Sequence, residues 1–228
     1  MRKTLSFHDY QVFLNYPFDP DYERFAIAVH FGIVAANLIP VCAKDLSLPD
    51  RPRVDMLVDA IHGCRYSVHD LTRSKGEGAD NFGRFNMPIE TGMALFYALT
   101  TNRERHNCAF ILPTPYDHHK FASDLSGFDP KVYMGDELTL VGITYDWLGD
   151  VVPHELMLRQ PTVSIVEQYG HFKVLLDGVN GSGRDGLPTH NEWQELMYQQ
   201  CARLDWWQWR QTRPGQLEFP EFPISWKP

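Results

Sequence analysis

Glu90 is the residue whose sequence context best suits chemistry. It lies where a turn, residues 84–88, runs into a predicted helix, and Asp70 lies twenty positions earlier, at the end of a short apolar segment. A firmly held, partly desolvated carboxylate can attack an anomeric carbon through an oxocarbenium-like transition state, or serve as a base. Strand ends and helix starts meet at the carboxyl edge of an open α/β sheet, where ligands bind. The pattern therefore predicts two carboxylates at one ligand-binding edge.

Other polar residues fall at strand ends or helix starts on the same predicted edge. Tyr16 is expected to support a base or to orient Glu90, and Asn86 and Asp70 are expected to bind a ribose. The candidates from position alone are Asn15, Tyr16, Asp19, Asp70, Asn86 and Glu90. A structural alternative stays open for Glu90: if Asn86 or Met87 is the N-cap, Glu90 falls near N3. There a glutamate caps free amide groups and complements the helix dipole.

Strands and helices alternate in the first half of the chain. Apolar segments predict strands at 11–16, 38–43, 65–70 and 107–112, and helical spacing predicts helices at 20–37, 52–63 and 87–101. The first helix is expected to be amphipathic, and Gly63 to close the second as a C′ glycine. The inward residues of the third are predicted to be Ile89, Met93, Phe96 and Tyr97. This alternation is typical of a parallel sheet with helices on both faces.

The second half is less regular. It predicts helices at 116–126, 136–148, 161–177 and 189–207, and a short edge strand at 131–134. We therefore expect an α/β domain, Rossmann-like or flavodoxin-like, over residues 1–150. A helical extension over 151–228 is expected to pack on the same body, ending in a tail rich in aromatic residues and proline. The large apolar groups between 206 and 226 predict an ordered, packed tail and a homo-oligomer.

Composition excludes several classes of function. The chain has 228 residues and a net charge of −8, which argues against binding the phosphate backbone of nucleic acid. No long apolar run predicts a signal peptide or a membrane span, and four scattered cysteines are typical of buried thiols in a reducing cytoplasm. Neither His118-His119 nor His154-Glu155 has metal-ligand spacing, so no metal is expected.

Two short motifs resemble those of known enzymes. Residues 12–18 resemble the first strand and turn of nucleoside 2-deoxyribosyltransferases, and residues 90–94 resemble their Glu-x-Gly-x-Ala, in which the glutamate is the nucleophile. The related TIR-like domains place a catalytic glutamate similarly and cleave NAD. The resemblance covers residues 10–113 and extends to a bacterial branch of this superfamily that implies no particular function. It adds Phe18 and Met87 to the candidate substrate-binding residues.

The resemblance implies an N-glycosidase or (deoxy)ribosyltransferase acting on a nucleoside or on NAD, with Glu90 as the nucleophile. Asp70 and Tyr16, from their predicted positions, are the other expected catalytic residues. The more specific form of this prediction is an NAD-cleaving effector of bacterial antiphage defence. Its small-molecule partner is the substrate, and no separate cofactor is needed. The glycine-rich loop 71–85 is predicted to be mobile and to order over the bound nucleotide. The alternative is a catalytically silent nucleotide-sensing or protein-interaction module on the same fold.

Overall fold

The chain forms a five-stranded parallel sheet with the strand order β2-β1-β3-β4-β5. The computed structural model describes residues 6–46, 51–74, 83–101, 105–157, 159–180 and 188–201. This flavodoxin-like order confirms the predicted fold class. The chain leaves β1 toward β2 on one side and returns to β3 on the other, so the crevice for a ligand is expected between the carboxyl ends of β1 and β3.

The predicted strands and the helices between them are present. The strands are β1 Gln11–Asn15, β2 Ile39–Cys42, β3 Tyr66–Asp70, β4 Asn107–Leu112 and β5 Lys131–Val132. The helices are α1 Glu23–Ala35, α2 Arg53–Gly63, α3 Asn86–Thr101, α4 His118–Phe121, α5 Glu137–Val151, α6 Thr162–Asn180 and α7 His190–Cys201. Short 3-10 turns cover Phe7–Tyr10, Pro20–Tyr22, Thr72–Ser74 and Ser123–Phe128.

The two faces of the sheet carry different helices. Along β1, Val12 and Leu14 join a core with α1, α5, α6 and α7, whereas Phe13 packs with α2 and α3. Strand side chains alternate between the faces. In β3, accordingly, Tyr66 and Val68 lie on the α1 face. This alternation decides which candidate residues can meet.

Helix α1 is not amphipathic, contrary to expectation. Every residue from Ala26 to Val34 is buried, because α1 lies between the sheet and the later helices rather than at the surface. Its central Gly32 lies close to α5: a Cβ there would come within 3.1 Å of the Thr144 Cβ and of the Val141 carbonyl oxygen. A helix apolar on all sides is a central element of a core.

The inward face of α3 agrees with the prediction only in part: Met93 and Tyr97 are half-buried and pack against the core, but the other two predicted residues do not. Ile89 is 55% exposed and Phe96 is 69% exposed. The buried residues of α3 recur at helical spacing and are Met87, Glu90, Thr91, Ala94 and Ala98. Small side chains let α3 approach the sheet closely, and this face places Glu90 inward.

Two local predictions are corrected. Gly63 is the last residue of α2, its φ is not left-handed, and the cap is Cys64 in an extended conformation. The helix predicted at 116–126 is instead the single turn α4 followed by a 3-10 turn. The chain bends there, since Ala122 leaves the helical region with φ −147° and ψ 56°.

The later helices pack on the same body as the sheet. Phe172 of α6 lies 5.5 Å from Phe31 of α1 between ring centroids, and Trp193 of α7 belongs to the same core. That core therefore contains side chains from both sides of residue 150. The predicted packing of the tail, residues 206–228, lies outside the described residues. Within the described part, no helix is both long and apolar enough to cross a membrane.

Candidate functional site

Glu90 is a buried carboxyl group at the carboxyl edge of the sheet. Helix α3 begins at Asn86, so Glu90 is its fifth residue, and the first turn contains no acidic residue. It therefore does not cap the first amide groups, as the structural alternative required. Its side chain lies on the inward face of α3 and the residue is 4% exposed.

The surroundings of Glu90 favour its neutral form. Burial raises its pKa to about 7, opposed by the charge of Arg53 at the start of α2. Among the described residues, no side chain or amide donates a hydrogen bond to this carboxyl group. A carboxyl group with a pKa near neutrality can take up and release protons at physiological pH, which is typical of catalytic acids, bases and nucleophiles.

Asn15 joins the end of β1 to the start of α3 beside Glu90. Its Nδ2 donates to the Met87 carbonyl oxygen at 2.8 Å and lies 3.3 Å from both Thr91 Oγ1 and His69 Nδ1. Thr91 Oγ1 also donates to the Met87 carbonyl, at 2.8 Å. The predicted substrate-binding residues Asn15 and Met87 therefore lie next to Glu90, but their polar atoms already hold α3 against the sheet.

A buried network of hydrogen bonds continues from Asn15 along β3, and no motif in the sequence predicted it. His69 Nδ1 accepts from Asn15, so its Nε2–H donates to Ser67 Oγ at 2.9 Å. Ser67 then donates to His106 Nε2 at 2.9 Å, and His106 Nδ1–H donates to the Cys64 carbonyl at 2.8 Å.

Both histidines of this hydrogen-bond network are neutral. Burial lowers the pKa of His69 to about 3 and that of His106 to about 4. Both ring nitrogens of His69 and of His106 have a hydrogen-bond partner. We conclude that this is a satisfied structural network beneath α3.

Asp70 lies on the other face of the sheet from Glu90. It is 1% exposed and accepts hydrogen bonds from the Tyr22 hydroxyl and, at 2.7 Å, from the Thr72 amide. Burial raises its pKa, and these hydrogen bonds lower it in part. The predicted pairing of Asp70 with Glu90 at one site is not formed, because the Asp70 side chain points to the α1 face, whereas Glu90 belongs to α3, which packs on the opposite face.

Tyr16 also lies on the α1 face. Its hydroxyl donates to Cys42 Sγ at 3.5 Å, and its ring packs edge-on against His30 with 5.5 Å between centroids. Burial raises the pKa of Tyr16 well above its ordinary value. The hydroxyl is therefore committed to the end of β2 rather than to Glu90.

Other candidates lie along the rim of the sheet. Phe18 packs edge-on against Tyr16 with 5.1 Å between ring centroids. Asp19 forms ion pairs with Arg84 and, at 3.4 Å, with Arg73. Asn86, the first residue of α3, is exposed.

Those arginines flank the loop that was predicted to be mobile. The Arg84 amide donates to the Arg73 carbonyl at 3.0 Å. Both ends of the loop are thus tied to each other and to Asp19, over the end of β1. The middle of the loop, residues 75–82, lies outside the described residues, so its closure over a ligand stays a prediction.

Comparisons with family models, with curated proteins and with solved structures found no match to this chain.

Proposed function

We propose that the chain binds a nucleoside or a dinucleotide at the carboxyl edge between β1 and β3, and cleaves or exchanges its N-glycosidic bond through Glu90. The observation that carries this proposal is the buried carboxyl group of Glu90, whose pKa of about 7 lies in the physiological range and which accepts no hydrogen bond from the described residues. The motif resemblance of residues 12–18 and 90–94 supplies the reaction class.

The chemistry proceeds in two steps. Ionised Glu90 attacks the anomeric carbon, and the electron pair of the N-glycosidic bond leaves with the base. Water, or the nitrogen of a second base, then attacks the same carbon and releases the carboxylate. Burial helps the first step, because a poorly solvated carboxylate is destabilised relative to the transition state in which its charge is dispersed.

NAD cleavage is the specific version that we propose first. Asp70 and Tyr16 take no part in this scheme, because their polar groups lie on the other face. A catalytically silent nucleotide-sensing module is the second candidate. One observation favours the sensing module. The side-chain amide of Asn15 contacts Met87 and Thr91, so it has no amide hydrogen left to bind a sugar hydroxyl.

The test is incubation of purified protein with a panel of nucleosides and with NAD, followed by chromatography. We expect release of a free base, and a loss of at least about 100-fold in rate for Glu90→Gln. Glu155→Gln is the matched control, since Glu155 is exposed and far along the chain from α3.

Two outcomes would reject the catalytic proposal. One is an unchanged rate in Glu90→Gln, which would place the reaction elsewhere. The other is binding of a nucleotide with no base released from any compound in the panel, which would support the sensing module instead.

A further inference from the structure

A second cluster of reactive side chains lies on the α1 face, away from Glu90. It contains His30 from the middle of α1, Cys42 from the end of β2 and His190 from the first position of α7. One ligand atom from each of these three residues lies within 4.8 Å of the others. His30 and Cys42 are fully buried, and His190 is partly buried.

His30 has one ring nitrogen that the protein does not use. Nδ1 lies 2.7 Å from the Ala26 carbonyl oxygen, so Nδ1–H donates and Nε2 carries a lone pair. Nε2 is buried and has no hydrogen-bond partner among the described residues. His69 and His106, equally deep in the fold, have partners on both nitrogens.

An unsatisfied buried acceptor is costly, so it calls for an explanation. A metal-bound histidine typically donates its other N–H to a carbonyl or carboxylate, which fixes the tautomer and the ring orientation. The bond from His30 to Ala26 has this form, and it leaves the lone pair of Nε2 available to a ligand.

A carboxylate, that of Asp45, lies beside the cluster. His190 Nε2 lies 3.0 Å from Asp45 Oδ1 and 3.8 Å from Cys42 Sγ. Asp45 Oδ2 accepts the Cys42 amide at 2.8 Å. The carboxylate is therefore in contact with two members of the cluster.

We propose that His30, Cys42 and His190, together with Asp45, bind a divalent cation of the zinc class. One thiolate, two imidazoles and one carboxylate form a donor set that suits Zn²⁺. Tetrahedral bonds of the usual lengths put sulfur and nitrogen about 3.6 Å apart. The separation of 3.8 Å between Cys42 Sγ and His190 Nε2 is already close to that value.

Binding must displace protons, which can be followed. The cation replaces the proton of the Cys42 thiol, which passes to solvent. It also displaces the proton that His190 Nε2 donates to Asp45, and this proton moves through solvent to His190 Nδ1. The Tyr16 hydroxyl donates to Cys42 Sγ at 3.5 Å and so stabilises the thiolate. No change of oxidation state is involved.

The site would have a structural role. Its donors come from α1, from β2 with the turn after it, and from α7, so a bound cation would fix α7 to the sheet. Four protein donors leave no open position for a substrate, which is typical of structural zinc sites. The inference is independent of the proposed function, because Glu90 lies on the other face.

The test uses the full chain without a histidine tag, reduced with a phosphine and dialysed against a chelator. We expect one equivalent of Zn²⁺ to bind, with competition against a chromophoric chelator giving the affinity. Co²⁺ in place of Zn²⁺ should give tetrahedral d–d bands and a thiolate-to-cobalt charge-transfer band.

The variants identify the ligands. Cys42→Ala should remove the charge-transfer band, and Cys42→Ala, His190→Ala and Asp45→Asn should each weaken Zn²⁺ binding at least tenfold. Cys64→Ala removes an equally buried thiol and His154→Ala an exposed imidazole, so both should bind as the wild type does. If Cys42→Ala fails to fold, His190→Ala answers the same question at a less buried position.

Three results would overturn the proposal. They are the absence of stoichiometric binding by the wild type, a cobalt spectrum without the thiolate band, and affinities that the Cys42, His190 and Asp45 variants leave unchanged.

Discussion

At the scale of single residues, burial separates side chains that look alike in sequence. Asp70 is buried and satisfied by Tyr22 and Thr72, whereas Glu90 is buried and accepts no hydrogen bond from the described residues. His106 is used on both nitrogens and His30 on one. Groups left unsatisfied in this way are the ones for which a ligand is the natural explanation.

Glu90 should make stability depend on pH in a way that its glutamine variant does not. Its pKa is raised from 4.5 to about 7 in the folded protein. The folded state therefore holds the proton more tightly, so this contribution is complete below pH 4.5 and is lost as pH rises through about 7. At about 1.4 kcal/mol per pKa unit, the loss reaches about 3 kcal/mol.

We expect Glu90→Gln to gain up to that amount relative to the wild type between pH 5 and pH 8. Urea unfolding of both proteins at the two pH values measures this difference, and other titrating groups cancel in the comparison. Parallel pH profiles for the two proteins would mean that the Glu90 carboxyl group is solvated.

At the scale of elements, the packing of helices depends on small residues. Helix α1 meets α5 at Gly32, where a Cβ would lie 3.1 Å from atoms of α5. Helix α3 approaches the sheet through Ala94 and Ala98. Small residues thus allow close helix packing on both faces of the sheet. On the α3 face, this close packing buries Glu90.

Two glycine variants should have opposite effects on stability. Gly32→Ala should destabilise the protein by about 1–3 kcal/mol, because α1 and α5 must move apart. Gly92→Ala, in an exposed position of α3 with no atom within 4 Å of the added Cβ, should stabilise it by about 0.5–1 kcal/mol. Thermal and urea unfolding of the pair measures both. Equal effects would show that helix propensity, rather than the contact with Thr144 and Val141, decides the outcome at Gly32.

At the scale of the whole molecule, the later helices complete the core on one face of the sheet. Phe172 of α6 is fully buried and packs on Phe31 of α1. Residues after 150 therefore pack directly on α1, the helix that connects β1 to β2.

Phe172→Ala should destabilise the whole protein, by about 3–5 kcal/mol. Val174→Ala, two residues along the same helix and 70% exposed, should change stability by less than about 0.5 kcal/mol. Far-UV circular dichroism during urea unfolding reports the sheet and helices together. A first transition confined to part of the helical signal, with the sheet unaffected, would show that α6 unfolds separately.

The sequence by itself determined the layered architecture. Alternating apolar segments and helical repeats specify β-α units, and short connections between parallel strands require helices on the faces. It also placed Glu90 at the carboxyl edge of the sheet, because a carboxylate near a helix start that follows a strand belongs there. Helix α3 shows where prediction from hydrophobicity fails. Apolar residues lie on both of its faces, so the pattern selected Ile89 and Phe96 as inward residues, whereas the small residues Ala94 and Ala98 are the ones that are buried.

Tertiary structure decided which residues meet. The register that pairs Asn15 with His69 sends Asp70 to the face away from Glu90, and a shift of one residue would have reversed this. His30, Cys42 and His190 come from three distant elements, so no local spacing marks them as a group. Local sequence encodes periodicity and caps, whereas strand register and the docking of α7 depend on contacts between distant parts of the chain.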